Sequence, residues 1–339
     1  VNILLGANGA GKSNIVSFFK MLGYMMSKAF AKYVEMAGTS SSLLHYGAKQ
    51  TPVMSGTLEF SDHNSADTYT FSLANAAPDR LIVTEERVTW HKQGVEKPFN
   101  KTLEPIFKES ALMDCKDQTA RSIYQLLSFC KVYQFHDSST EGPLRQACPT
   151  ETANYLQSHG NNLPSFLLYL KKNHHNAYQR IVQYVRDVVP QFEDFYLEPS
   201  GNTISLRWID TSATDYRFNA YQFSDGSIRF IALATLLLQP YTTMPRVIIL
   251  DEPELGLHPY AISQLSEMIK DAAMHTQILI ASQSKDLVDY FELDNISIVE
   301  MEDEHTVVRQ LNSEDYKLWL EKYTVSEMWD KNLIGGRPV

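Results

Sequence analysis

The run Gly6-Ala7-Asn8-Gly9-Ala10-Gly11-Lys12-Ser13 holds glycines, a lysine and a hydroxyl at the offsets of a phosphate-binding loop. Glycines let main-chain N–H groups close on phosphate oxygens, the Lys12 ammonium reaches the β and γ phosphates, and the Ser13 hydroxyl ligates Mg²⁺. Asn8, Gly9, Ala10, Gly11, Lys12, Ser13 and Asn14 are therefore the expected nucleotide-binding residues, for ATP or GTP. Such a loop works between a strand and a helix, and the apolar residues 1–5 and the helix-like residues 14–26 supply both.

A second reactive group stands at Asp251-Glu252, which ends the β-branched and leucine run 247–250. That run reads as a buried parallel strand delivering two carboxylates at its C-terminal end. Asp251 is the expected Mg²⁺ partner, commonly through water, and Glu252 the group that orients and deprotonates an attacking water. Upstream, Phe223-Ser224-Asp225-Gly226-Ser227 leads into the apolar helical stretch 228–238. Ser224, Asp225 and Gly226 thus sit at a helix start, where a hydroxyl, free N–H groups and the positive end of the helix dipole face an anion. Alone this is an ordinary N-cap; its place ahead of the acidic pair gives it weight.

In this order, together with Glu254-Leu255-Gly256-Leu257-His258-Pro259 and Ala281-Ser282-Gln283-Ser284, the motifs make the chain resemble the ATP-binding-cassette (ABC) branch of P-loop ATPases, specifically the SMC/RecF-like AAA-type ATPases. The matching segments span the chain. The resemblance implies an α/β fold: an ABC-type P-loop NTPase core with an antiparallel β subdomain and an inserted helical lobe. It implies ATP and Mg²⁺ as cofactors, ATP hydrolysis, and a motif like Ser224-Asp225-Gly226 in one protomer completing the ATP site of the other. A homo-oligomer, an ATP-sandwich dimer or higher, follows from that. The likeness is nearest to a bacterial group encoded beside nuclease-like partners.

Two departures limit the transfer. The family's usual γ-phosphate-sensing histidine is replaced by Gln283. An amide still hydrogen-bonds a phosphate or the attacking water but cannot become cationic, which favours slow turnover, or a switch over a motor. Gln283 joins Glu252 as an expected catalytic residue. For the family's glutamine loop the positional candidates are Gln134, on the strand-like residues 131–135, and the adjacent His136-Asp137-Ser138. Contact with Mg²⁺ or phosphate is one reading of these residues; a core or loop-capping role for His136 and Asp137 is the other.

Composition sets the outer limits. At 339 residues and 44% apolar, the chain is long enough for a substantial core and more than one domain. The longest apolar run, residues 230–238, is interrupted by Thr235 and falls far short of the roughly 20 residues of a membrane span. No signal-peptide pattern opens the sequence, and a cytoplasmic location is expected. The chain begins inside the phosphate-loop strand, so an upstream strand and the family's adenine-contacting residues are expected to lie outside this numbering. Cys115, Cys130 and Cys148 lack metal-ligand spacing and read as reduced thiols, and the adjacent His174 and His175 do not share a helix face. A net charge of −10 is unlike that of a dedicated nucleic-acid binder. Lys20, Lys28, Lys32, Lys171 and Lys172 lie among acidic residues and read as solvated surface.

The elements that must hold these groups follow from the patterning. A discontinuous ATPase core is expected over 1–30 and 191–315, an antiparallel β subdomain over 50–100, a helical lobe over 103–190 and a helical tail over 316–339. Segments 56–60, 69–73 and 81–90 alternate as a β meander. Helices are expected over 122–129, 150–159, 163–172 and 177–189, the last stopped by Pro190. The helical hairpin around His174 is too short for an SMC-style coiled-coil arm. Segments 194–197 and 203–208 read as a hairpin, and 296–300 and 306–309 as final strands. The tail over 316–329 is amphipathic, with an aromatic stripe expected on the core and residues 335–338 as a flexible end.

Three functions fit. The leading one is an ATPase that dimerises around ATP and regulates an effector encoded nearby, a nuclease or other toxin in bacterial antiphage defence. The second is a RecF-like DNA repair ATPase acting on DNA. The third, a transporter's ATPase subunit, is disfavoured by Gln283 and the large middle insertion.

Overall fold

The computed structural model describes residues 1–61, 64–95, 97–104, 109–151 and 155–337. The chain divides into two compact units, Val1–Val16 with Lys131–Val339, and Ser17–Cys130. These cuts differ from the expected boundaries, because residues 103–190 do not share one core. Helices Leu163–Asn173 and His175–Val188 bury Phe166, Leu170, Ile181 and Val185 with the strand residues Ile248 and Leu250, whereas Gln118–Ser128 buries Ala120, Ile123 and Leu127 in the core of the second unit.

The first unit is built on a six-stranded sheet in the order His305–Gln310, Ile296–Glu302, Asn2–Leu5, Gln277–Ser282, Val247–Asp251, Cys130–Tyr133. Asn2–Leu5 pairs in parallel with Gln277–Ser282 and with Ile296–Glu302, and Val247–Asp251 pairs in parallel with Gln277–Ser282. The hairpin from Ile296–Glu302 to His305–Gln310 closes one edge antiparallel. Strands covered on both faces need apolar side chains on both, which is why Ile248, Ile249, Leu250, Ile278 and Ile280 run with so little alternation. The consequence is positional: parallel strands release Gly6, Glu252 and Gln283 at the same carboxyl edge, where ligands bind in open α/β sheets.

Around that sheet several sequence expectations shift. The expected antiparallel pairing of 194–197 with 203–208 is present as Phe192–Tyr196 against Arg207–Asp210, and a further strand, Ala213–Asn219, pairs with Arg207–Asp210 to make a three-stranded sheet. Thr203–Ile204 pairs with Cys148–Pro149. The aromatic face of the three-stranded sheet, with Trp208 stacked 4.7 Å from Phe223, fixes the chain just ahead of Ser224. Of the expected helix over 150–159, residues 152–154 lie outside the described residues, and the flanking residues form turns rather than a helix. The tail folds as two short helices, Lys317–Leu320 and Val325–Asp330. Val325, Met328 and Trp329 are buried and Leu320 and Tyr323 pack half-buried against the same core, as expected of the stripe, while Trp319 is 43% exposed. Pro338 lies outside the described residues.

The second unit carries the expected meander: Val53–Ser61, Ser65–Ala76, Arg80–Lys92 and Phe99–Leu103, each antiparallel to the next. Its buried face presents Tyr69, Phe71, Leu73, Leu81, Val83 and Val88 at alternating positions. Glu86 is fully buried there and accepts hydrogen bonds from the Tyr69 and Ser110 hydroxyls and the Ala111 N–H.

Candidate nucleotide site

The phosphate loop runs from Gly6, at the end of Asn2–Leu5, into the helix Lys12–Met26. Gly9 and Gly11 hold φ values of +82° and +104°, the left-handed region that a side chain disfavours. At Gly11 space forbids one as well, since a Cβ there would lie 2.0 Å from the Thr306 hydroxyl on the edge hairpin. Lys12 is 6% exposed, and its ammonium donates to the carbonyls of Gly6 at 2.6 Å and Ala7 at 2.9 Å. Two of three donors thus brace the loop across its own mouth. Burial lowers the Lys12 pKa, and the charges of Glu252, Asp251 and Glu254 partly offset that shift. Asn8, Ser13 and Asn14 are exposed on the same loop and helix start, and Ala10 is buried with Leu4 and Val299.

The two carboxylates leave the sheet differently. Asp251 ends its strand opposite Ala281, and its Oδ2 accepts from Gln134 Nε2 at 3.0 Å. Glu252 turns out of the strand with φ +42° while its N–H donates to the Ala281 carbonyl at 2.8 Å. A non-glycine residue held in that region marks a backbone fixed by its surroundings. Gln283 Nε2 donates to Glu252 Oε1 at 2.9 Å, so each carboxylate receives one glutamine amide.

Of the glutamine-loop candidates, the structure brings two to Asp251 and not the others. Gln134 lies just past Cys130–Tyr133 and meets the Asp251 carboxylate, and His136 Nε2 lies 2.7 Å from the Asp251 carbonyl. Asp137 instead accepts from the hydroxyl and N–H of Ser139, which holds its carboxyl below the usual range, and Ser138 is buried with its carbonyl bound by Arg145.

Ser224 caps the helix Asp225–Leu237, its Oγ accepting from Ser227 N–H at 3.1 Å. Gly226 packs on the turn beyond Glu252, where a Cβ would lie 2.5 Å from the Gly256 carbonyl. Among the described residues no hydrogen bond joins 223–227 to the phosphate loop of the same chain. Three groups to which the sequence reading gave no role of their own organise this region. Arg145, 6% exposed, donates to the carbonyls of Ser138, Ala220 and Phe223 and to Asp225 Oδ1 at 2.8 Å. Arg229 donates to the Leu255 carbonyl at 2.9 Å and the His136 carbonyl at 2.6 Å. Glu254 is buried against Ser282. No spacing rule announces these residues; a charged residue inside an apolar or turn segment was the one available signal.

The SMC/RecF-like, ABC-type resemblance holds. Residues 152–289, less than half of the chain, match the family model described as "AAA domain, putative AbiEii toxin, Type IV TA system". The fold is similar to the crystal structure of an Smc head bound to the C-winged helix domain of ScpA, with TM-score 0.55 at 14% identity over 94% of this chain and 91% of that one. At that identity the likeness is one of fold. The energy-coupling factor transporter ATP-binding protein EcfA2 of Lactobacillus delbrueckii subsp. bulgaricus is 27% identical over 139 residues, 39% of this chain. A "Putative ABC transporter ATP-binding protein" of Geobacter sulfurreducens is 40% identical over 68 residues, 20% of this chain. The matches span 46% and 25% of the lengths of these two relatives. Among the described residues no helix is long and apolar enough to cross a membrane.

Proposed function

We propose that this chain is a Mg²⁺-dependent ATPase that works as a switch, closing as a dimer around ATP and regulating a separate effector. The observation that carries the reading is the pairing at the sheet's carboxyl edge. Gln134 and Gln283 each donate to one of the two carboxylates that end Val247–Asp251, and the charges of those carboxylates reach Lys12. The residues fit a Mg-nucleotide: left-handed glycines open the loop amides, Lys12 has a third donor, and Ser13 and Asp251 supply hard oxygen ligands. Bound Mg²⁺ would neutralise phosphate charge and polarise the phosphoryl oxygens. Within the chain, Lys12 compensates phosphate charge, Gln134 orients the Asp251 carboxylate, and Glu252 takes the proton of the attacking water while Gln283 holds its other oxygen in place.

Glu252→Gln tests the assignment. The amide keeps the shape and leaves Asp251 intact, so Mg-ATP binding persists while hydrolysis falls by roughly 10²–10⁴. Turnover equal to that of the unmodified chain would move the base role elsewhere. An effector of the nuclease or toxin class is supported by the toxin–antitoxin description of the matched family model. A pull-down from the native host with mass spectrometry of the co-eluting chains tests it. The names of the two curated relatives favour a second reading, a transporter's ATPase subunit, for which co-purification with a membrane permease is the test.

A further inference from the structure

Glu254 is 7% exposed, and burial raises its pKa against the pull of the Ser282 hydroxyl and nearby main-chain amides. Its Oε1 accepts from Ser282 Oγ at 2.5 Å, and its Oε2 has no hydrogen-bond partner. A carboxyl kept in this state costs stability, and an apolar side chain of similar size would fill the same space without leaving an oxygen unpaired. What the carboxyl accomplishes is local. Ser282, fully buried at the end of Gln277–Ser282, uses the same Oγ to accept from Ser284 N–H at 3.0 Å. Ser284 then caps the helix Lys285–Val288 through Leu287 N–H at 3.2 Å. Between the two serines stands Gln283, whose amide reaches Glu252. At its other end Glu254 belongs to a turn fixed by Leu255 N–H on the Glu252 carbonyl, Leu257 N–H on the Glu254 carbonyl and Arg229 on the Leu255 carbonyl.

We propose that Glu254 is a positioning residue: through the Ser282 hydroxyl it locks the Ser282–Ser284 turn to the turn that follows Glu252, and so aims the Gln283 amide at the Glu252 carboxylate. The proposal rests on the reading of Glu252 as the base. Among the described residues two side-chain bonds link the two turns, Ser282 to Glu254 and Gln283 to Glu252, and the main chain links them once more, at Glu252 N–H and the Ala281 carbonyl; of these the buried Ser282 bond is the one that can hold Gln283 in place for the other.

The test uses Glu254→Met, Glu254→Gln and Ser282→Ala in the full chain, read in two ways. The first readout is the side-chain amide resonance of Gln283 in ¹⁵N-glutamine-labelled protein, assigned by its loss in Gln283→Ala, together with its hydrogen-exchange rate. Glu254→Met and Ser282→Ala are expected to shift that resonance and speed its exchange, and Glu254→Gln, which still presents an acceptor to Ser282, to restore it. The second readout is steady-state hydrolysis: kcat falls about ten- to a hundredfold in Glu254→Met with KM for Mg-ATP unchanged, and recovers in Glu254→Gln. An unshifted Gln283 resonance in both Glu254→Met and Ser282→Ala overturns the proposal. So does a KM that rises as kcat falls. If Glu254→Met does not fold, Ser282→Ala and Glu254→Gln decide the matter alone. Failure of the underlying reading looks different: Glu252→Gln would then keep full turnover while the Gln283 resonance still responded to Glu254.

Discussion

Lys12 is braced by the loop it belongs to. Its ammonium is buried, bonded to two carbonyls of its own loop, and held in the field of Glu252, Asp251 and Glu254. Lys12→Ala removes the charge that opposes the phosphates, and the loss of a charged hydrogen bond predicts Mg-ATP affinity lower by about ten- to a hundredfold. A fluorescent-nucleotide titration that overlays the unmodified curve would remove Lys12 from the site. Gln283 presents a different case, because it acts on Glu252 rather than on loop capture. Gln283→His and Gln283→Ala are therefore expected to change hydrolysis while ATP titrations stay close to the unmodified chain. Unchanged hydrolysis in both variants would leave the residue a structural one.

At the scale of elements, what the sequence made legible follows from chemistry that tolerates few substitutes. A phosphate loop needs glycine at fixed offsets, a doubly covered strand needs an unbroken apolar run, and a helix start needs a cap, so Gly6 to Ser13, Val247–Asp251 and Ser224 were readable from residue type alone. The pairing of 194–197 with 203–208 was legible as well, as Phe192–Tyr196 against Arg207–Asp210, whereas the pairing of Thr203–Ile204 with Cys148–Pro149 was not, because it joins segments distant in the chain that no local alternation announces. Arg145 was not legible at all. It lies in a single turn, Pro143–Arg145, and its partners come from elsewhere in the chain: the carbonyls of residues 138, 220 and 223 and the Asp225 carboxylate. Arg145→Met should strand those buried acceptors and lower unfolding free energy by about 2–4 kcal/mol in urea titrations. Asp225→Asn should move it by less than about 1 kcal/mol, since the Asp225 side chain is 66% exposed. Equal losses in the two variants would mean that the ion pair, rather than the carbonyl cluster, fixes the start of Asp225–Leu237.

For the whole molecule the open question is what Ser224, Asp225 and Gly226 face. In the chain itself they meet Ser227, Arg145 and the Gly256 turn, and no hydrogen bond among the described residues takes them to their own phosphate loop. Ser224 is exposed, at the N-terminal end of a helix of 13 residues whose dipole favours an anion. If that anion is the γ phosphate held by a second copy, ATP binds the dimer in preference to the monomer, and mass action makes association depend on ATP. Glu252→Gln should then accumulate as an ATP-bound dimer, because the bridging nucleotide persists. Ser224→Arg should block association while leaving Lys12-dependent binding within one protomer intact, since a long charged side chain would intrude where the facing phosphate sits. Light scattering at several protein concentrations, with and without Mg-ATP, reads both variants. An ATP-independent mass for Glu252→Gln, together with undiminished hydrolysis in Ser224→Arg, would reduce residues 223–227 to a helix cap and leave each protomer to complete its own site.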